Sequence, residues 1–200
     1  RPPKGVPPLP PLTVEQAKVE LGGFLDRLAE AEAFSGTALL ARNGEVLFEA
    51  ARGIADRNHG VPMRLDSKLN LGSMNKMFTA VAIAQLVQAG KMSFEDPIST
   101  WLDHGWLPRV DMTKVKVKHL LSPTSGLGNY FNETFERTSR LQFRAVRDYK
   151  PLVREETLAF TPGERFEYSN TGFLLLGAIV ERVSGKDYFD YIRERIYGPA

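Results

Sequence analysis

The chain has 200 residues, 42% of them hydrophobic and 25% charged, with a formal net charge of +2 and no cysteine. That is the composition of a soluble globular domain of ordinary size, or of most of a larger one. It excludes disulfides, thiolate metal sites and cysteine nucleophiles, and the charge is too small to point to nucleic acid. No apolar stretch reaches membrane length without polar interruption, and no signal peptide is visible; the chain starts at Arg1 without a methionine, as a processed or trimmed product would.

Residues 1–12 hold six of the 13 prolines and read as an extended arm without chemistry. Thr13 and Gln16 make a capping-box pattern, and Val14, Ala17, Leu21, Phe24, Leu25 and Leu28 recur at helical spacing to about residue 33, weakened locally by Gly22-Gly23. Residues 37–42 and 45–50 flank Asn43-Gly44, which predicts two antiparallel strands joined by a tight turn. A loop through Gly60 and Pro62 follows.

Residues 77–87 are apolar on nearly every side and lead to Gly90, which predicts a helix buried all round. Ser73 falls in its first turn, with Lys76 three residues later on the same face. A lysine in a buried helix is costly unless a partner compensates, and burial lowers its pKa towards that of a useful base; a serine beside it is then an activated nucleophile. The plainer alternative is an N-cap serine with a snorkelling lysine, since a Ser-x-x-Lys match arises by chance about once in a chain of this length.

Further along, Asp96 before Pro97 leaves the helical region, and Pro97 starts a short helical piece over residues 98–102. Lys114-Val115-Lys116-Val117-Lys118 alternates as a short strand with one solvated face would. Residues 122–128 read as a loop, residues 131–160 as irregular helices, and residues 161–164 as a turn. A second apolar helix spans 172–183 and stops at Ser184-Gly185, and an amphipathic segment covers 188–196. His59, His104 and His119 have no metal-ligand spacing, and no G-x-S-x-G elbow supports a histidine-based triad. No internal repeat is visible.

Taken together, Gly72-Ser73-Met74-Asn75-Lys76-Met77-Phe78-Thr79, Gly90-Lys91 and Asp96-Pro97 resemble the first motif region of the serine β-lactamase and penicillin-binding-protein superfamily, in its class C and esterase-like branch. Leu120-Leu121-Ser122-Pro123-Thr124-Ser125-Gly126-Leu127 resembles that branch's Leu-Leu-x-His-Thr-Ser-Gly-Leu loop, with Pro123 in the histidine position. Tyr168-Ser169-Asn170, with Leu176-Gly177 and residues 181–185 beyond it, resembles its Tyr-x-Asn motif. Tyr130-Phe131-Asn132 also spells Tyr-x-Asn, but it directly follows the Thr-Ser-Gly-Leu loop, where the family has no catalytic element, and reads as a loop or pocket-wall aromatic.

The resemblance, from about Phe34 to Ala200, implies an α+β, β-lactamase-like fold: a helical region beside an antiparallel sheet that is incomplete in this chain. Residues 1–12 are then an arm and 13–200 the N-terminal portion of a serine hydrolase domain. The implied reaction is acyl transfer from a β-lactam, a D-amino-acid peptide or a small ester, with β-lactamase and carboxylesterase as leading forms; a non-catalytic binding or scaffold protein, or an inactive fragment needing a C-terminal partner chain, is the alternative. In this reading Ser73 is the nucleophile, with its own N–H as one oxyanion donor. Lys76 and Tyr168 share the proton load, which of them takes the serine proton being left open. Asn170 orients Lys76 or the substrate amide. No metal or cofactor is implied. The family's third motif, Lys-Thr-Gly or His-x-Gly, has no counterpart here, so the resemblance implies a C-terminal segment or chain that completes sheet and site. It further implies a periplasmic or secreted location, the cytoplasm staying open. Leu39, Val46 and Phe48 of the lone hairpin are then expected to face solvent.

Overall fold

A computed structural model describes residues 11–200, so the predicted arm falls outside the described residues except for Pro11 and Leu12, which belong to no regular element. The architecture is α+β. Two compact units divide the chain, Arg1–Asn70 and Leu71–Ala200.

In the first unit, Thr13 caps helix α1 (Val14–Glu30): its hydroxyl accepts the Gln16 N–H at 3.2 Å and the Gln16 side chain accepts the Thr13 N–H at 2.9 Å. The Gly22-Gly23 pair does not break the helix. Gly22 lies over the Phe48 ring, 3.7 Å from where a Cβ would stand, so the helix runs close to strand β2. Strands β1 (Gly36–Arg42) and β2 (Glu45–Arg52) pair antiparallel, Thr37 opposite Ala51 and Leu39 opposite Glu49. The turn between them has positive φ at Asn43 (52°) and Gly44 (82°), which glycine and asparagine tolerate best. Leu39 and Val46 are exposed as expected, whereas Phe48 is half-buried because α1 covers it. Strands β3 (Ile54–Asp56) and β4 (Val61–Pro62) form a second small antiparallel sheet where the sequence pattern suggests only a loop. Asp56 closes it by accepting the Asn58 and His59 N–H groups at 2.9 and 3.2 Å, side-chain chemistry that no apolar alternation announces.

In the second unit, a 3₁₀ turn (Gly72–Asn75) leads into helix α2 (Lys76–Gln88). This helix is not buried all round. Thr79, Ala82, Ile83 and Leu86 are buried, while Met77 and Val81 are exposed. Its packing partner is α6 (Asn170–Ser184), which the core surrounds: Leu175, Leu176, Ile179 and Val180 are fully buried. Shorter helices complete the unit: α3 (Val117–Leu121), α4 (Glu133–Arg137), α5 (Lys150–Val153) and α7 (Tyr188–Ile192), the last widening into a π turn at Arg193–Tyr197. The lysine alternation is not a strand. Val115 and Val117 are fully buried and Lys114 and Lys118 exposed, as the pattern requires, but only Pro97 and Lys116 bridge before α3 begins. Lys116 and Lys118 both reach Glu95, at 2.9 and 2.7 Å, and their hydrogen bonds, Lys118 first, hold its carboxyl down to about 2.

The loop of residues 122–128 is fixed by Gly126, which has φ +80°; a Cβ there would stand 2.6 Å from the Phe160 carbonyl oxygen. Helix α6 is capped by Ser169, buried to 1% exposure, whose hydroxyl accepts the Gly172 N–H and donates to the Gly128 carbonyl, both at 2.9 Å. Ser169→Ala leaves the buried Gly172 N–H without its acceptor and removes one of the donors to the Gly128 carbonyl, and is expected to lower stability by about 1–2 kcal/mol. Urea unfolding of the intact protein reads this as a lower midpoint at unchanged slope; an unshifted midpoint contradicts it.

Candidate active site

The N-terminal end of α2 and the N-terminal end of α6 supply one cluster of side chains. The α6 end is built as Tyr168-Ser169-Asn170, in which the middle residue turns inward as the cap. By sequence alone Asn170 reads as the N-cap of a helix that starts at Gly172, a role compatible with a place in the site; the structure corrects this, since the helix starts at Asn170 itself. Ser169 fills the cap, and the Asn170 side chain is thereby available to the cluster. On the α2 side, the 3₁₀ turn carries Ser73 and the first α-helical residue is Lys76.

The structure brings the four predicted residues together. Ser73 Oγ lies 2.6 Å from Tyr168 Oη, and Lys76 Nζ donates to Ser73 Oγ at 3.2 Å and to Asn170 Oδ1 at 2.6 Å. The Lys76 ammonium also sits over the Tyr168 ring, 4.9 Å from its centroid, and near that of Phe173 at 5.6 Å. Ser73 and Tyr168 are exposed, and Lys76 and Asn170 half-buried, so the burial expected of Lys76 is met only in part. The ammonium beside Tyr168, and then the Ser73 hydrogen bond, lower the phenol below its ordinary value.

A cavity of about 240 Å³ adjoins the cluster, with Lys76 and Asn170 in its wall beside Tyr130, Tyr149, Phe173 and Tyr188. Tyr130 is thus a pocket-wall aromatic. It packs edge-on to Tyr149 at 5.3 Å between centroids, and burial raises its phenol. Tyr188 closes the floor through a 2.6 Å bond with the Thr79 hydroxyl. A larger hollow of about 860 Å³ lies elsewhere in this unit, around Asp103, Arg147, Glu181 and Lys186, and contains none of the four residues.

Histidine takes no part. His119 Nδ1 accepts the Lys116 N–H at 3.2 Å in the cap of α3, burial lowering its pKa first and the two flanking lysines next; His59 pairs with Asp56 at 2.8 Å on the surface of the first unit. Among the described residues no group of three His, Cys, Asp or Glu could hold a metal ion, and no helix is long and apolar enough to cross a membrane.

Two residues of the site carry no signal in the sequence pattern. Asn129 Oδ1 accepts from Asn170 Nδ2 at 3.1 Å, and Glu156 accepts the Gly128 N–H at 2.9 Å and the Thr171 hydroxyl, burial raising its carboxyl. Asn129 is one polar residue in a loop, and Glu156 one acid among the mixed charges of residues 131–160.

Residues 23–200 match the sequence profile of the Beta-lactamase family. Among curated proteins, the chain is 32% identical over 188 residues to penicillin-binding protein 4* of Bacillus subtilis, covering 93% of this chain and 41% of that protein. Esterase EstB of Burkholderia gladioli is 33% identical over 175 residues, covering 82% and 44%. Among solved structures, a penicillin-binding protein from Bacillus halodurans superposes with a TM-score of 0.76 at 37% identity, over 87% of this chain and 52% of that one. The chain therefore spans about two fifths of the length of the curated relatives it matches.

The lowered Tyr168 phenol has a direct readout. In the absorbance difference between the intact protein and its Tyr168→Phe variant, phenolate is expected to form below the ordinary value of about 10. Because the folded value lies below the unfolded one, phenolate's contribution to stability is present above the ordinary range and is lost as pH falls through the lowered value. Lys76→Ala should move the titration back upward; a midpoint that stays put would assign the shift to another group.

Proposed function

The chain belongs to the Beta-lactamase family, and on that premise we propose that Ser73, Lys76, Tyr168 and Asn170 are the acylation machinery of a serine acyl hydrolase. One observation carries the reading: Ser73 Oγ is within 2.6 Å of a phenol and 3.2 Å of an ammonium at the same time. A serine hydroxyl is a weak nucleophile at its own pKa and needs a base in contact with it.

In the proposed reaction Ser73 Oγ attacks the substrate carbonyl carbon, and its proton passes to Tyr168 Oη as the phenolate. Tyr168 is assigned this step because it makes the shorter contact and because the adjoining ammonium favours its ionised form. The tetrahedral intermediate collapses with cleavage of the carbonyl bond to the leaving nitrogen or oxygen, which takes the proton back from Tyr168. Water then attacks the acyl-serine, releasing the acid and restoring the Ser73 hydroxyl. Lys76 balances the phenolate charge throughout, and Asn170 holds Lys76 in place. No step calls for a metal or cofactor.

The substrate is a β-lactam, a D-amino-acid peptide or a small ester, all of which offer a carbonyl with such a leaving group. The names of the relatives, a penicillin-binding protein and an esterase, support this range. β-Lactamase and carboxylesterase activity are its two leading forms.

Mass spectrometry of the intact protein tests the reading. A fluorophosphonate or a penicillin is expected to add one adduct per chain, and Ser73→Ala to abolish it. An adduct that persists at full stoichiometry in Ser73→Ala moves the nucleophile elsewhere. No adduct with either reagent, and no turnover of a chromogenic cephalosporin, a nitrophenyl ester or a D-alanyl amide, would favour a binding or scaffold protein of the same fold.

A further inference from the structure

A side-chain amide has two orientations that differ only by exchange of O and N, and the Asn170 amide serves the site in only one of them. The Lys76 ammonium can only donate, so the end of Asn170 that meets it at 2.6 Å must be Oδ1. Its Nδ2 then faces Asn129 at 3.1 Å and requires an acceptor there. Asn129 has the same ambiguity, and the Phe131 N–H resolves it: a backbone N–H only donates, so the Asn129 atom 3.1 Å from it is Oδ1. Two donor-only groups, one at each end, thus leave a single consistent orientation for both amides.

Asn129 is exposed, and an exposed asparagine orients nothing unless its backbone is held. Here it is held. The Gly128 carbonyl receives the Ser169 hydroxyl at 2.9 Å and the Thr171 N–H at 3.4 Å, while the Gly128 N–H donates to Glu156 at 2.9 Å. Glu156 also takes the hydroxyl of Thr171, which is fully buried, so Gly128, the residue before Asn129, is held to the first turn of α6 through both its N–H and its carbonyl.

We infer that Asn129 is a positioning residue of the site, which fixes the Asn170 amide with its oxygen towards Lys76 and so sets where the ammonium stands between Ser73 and Tyr168. The inference rests on the acyl-transfer reading above and adds to it a residue that touches neither Ser73 nor Lys76.

Asn129→Ser separates this role from a structural one. A serine hydroxyl can still accept the Phe131 N–H and keep the turn, but it is too short to reach Asn170. The expected result in the intact protein is a fall in the acylation rate constant of about 10-fold, with KM within about 2-fold. Asn129→Asp keeps both acceptor bonds and should stay within about 3-fold of the parent. In the Asn170→Ala background, Asn129→Ser should cost nothing more, since the group it acts through is gone. The inference is overturned if Asn129→Ser acylates at the parent rate, if Asn129→Asp loses as much as Asn129→Ser, or if the Asn129→Ser and Asn170→Ala losses multiply. Each of these outcomes is read against a working parent enzyme, so it leaves the acyl-transfer reading standing; a parent that is not acylated at Ser73 would overturn that reading instead.

Discussion

Ser169 accepts the Gly172 N–H with its own side chain, and because that bond fills the cap of α6, the residues on either side of it are released to face the start of α2. One of the four unpaired N–H groups that begin every helix has to find a partner. Had Asn170 supplied it, the Asn170 oxygen would be absent from Lys76; had the cap been empty, the chain before α6 would have no fixed exit. The buried cap also ties α6 to the loop after Leu127, through the Gly128 carbonyl. One serine therefore sets the direction of Tyr168, of Asn170 and of the loop that carries Asn129.

What those side chains then share is a cation whose hydrogen-bond partners are neutral. Among the described residues Lys76 bonds to a hydroxyl and an amide oxygen, and no carboxylate pairs with it. A carboxylate there would compete with Tyr168 for the ammonium, whose hydrogen bond is the main cause of the lowered phenol. With amide and hydroxyl acceptors, the ammonium is positioned without being neutralised, and its charge is felt by the phenol 2.6 Å from Ser73. The lysines of this unit that do form ion pairs, such as Lys150 with Asp103, close them in the ordinary way on the surface. The site differs from them in chemistry more than in burial.

Much of this was legible in the sequence because it rests on local rules. The capping box of α1, the Asn43-Gly44 turn and helices α2 and α6 follow from spacing and turn chemistry, and Ser73, Lys76, Tyr168 and Asn170 stand in strings that resemble a known family's motifs. The failures have a common cause. All-round burial of α2 is what its composition suggests, but composition cannot say that Met77 and Val81 would be left uncovered. The strand suggested over residues 114–118 comes from an alternation that is real in burial but that a single bridge and one shared carboxylate, Glu95, already satisfy. Asn129 and Glu156 act through tertiary hydrogen bonds to residues 41 and 15 positions away, and no periodicity reports those.

The central claim is that Lys76 and Tyr168 form a single proton-transfer unit around Ser73. It is tested most directly by pre-steady-state acylation rates for the intact protein, Lys76→Ala, Tyr168→Phe and the double variant. Groups that act as a unit are strongly non-additive, so the double variant should be scarcely slower than the worse single one. A double variant whose loss equals the product of the two single losses would contradict the claim, because the ammonium and the phenol would then act independently on Ser73.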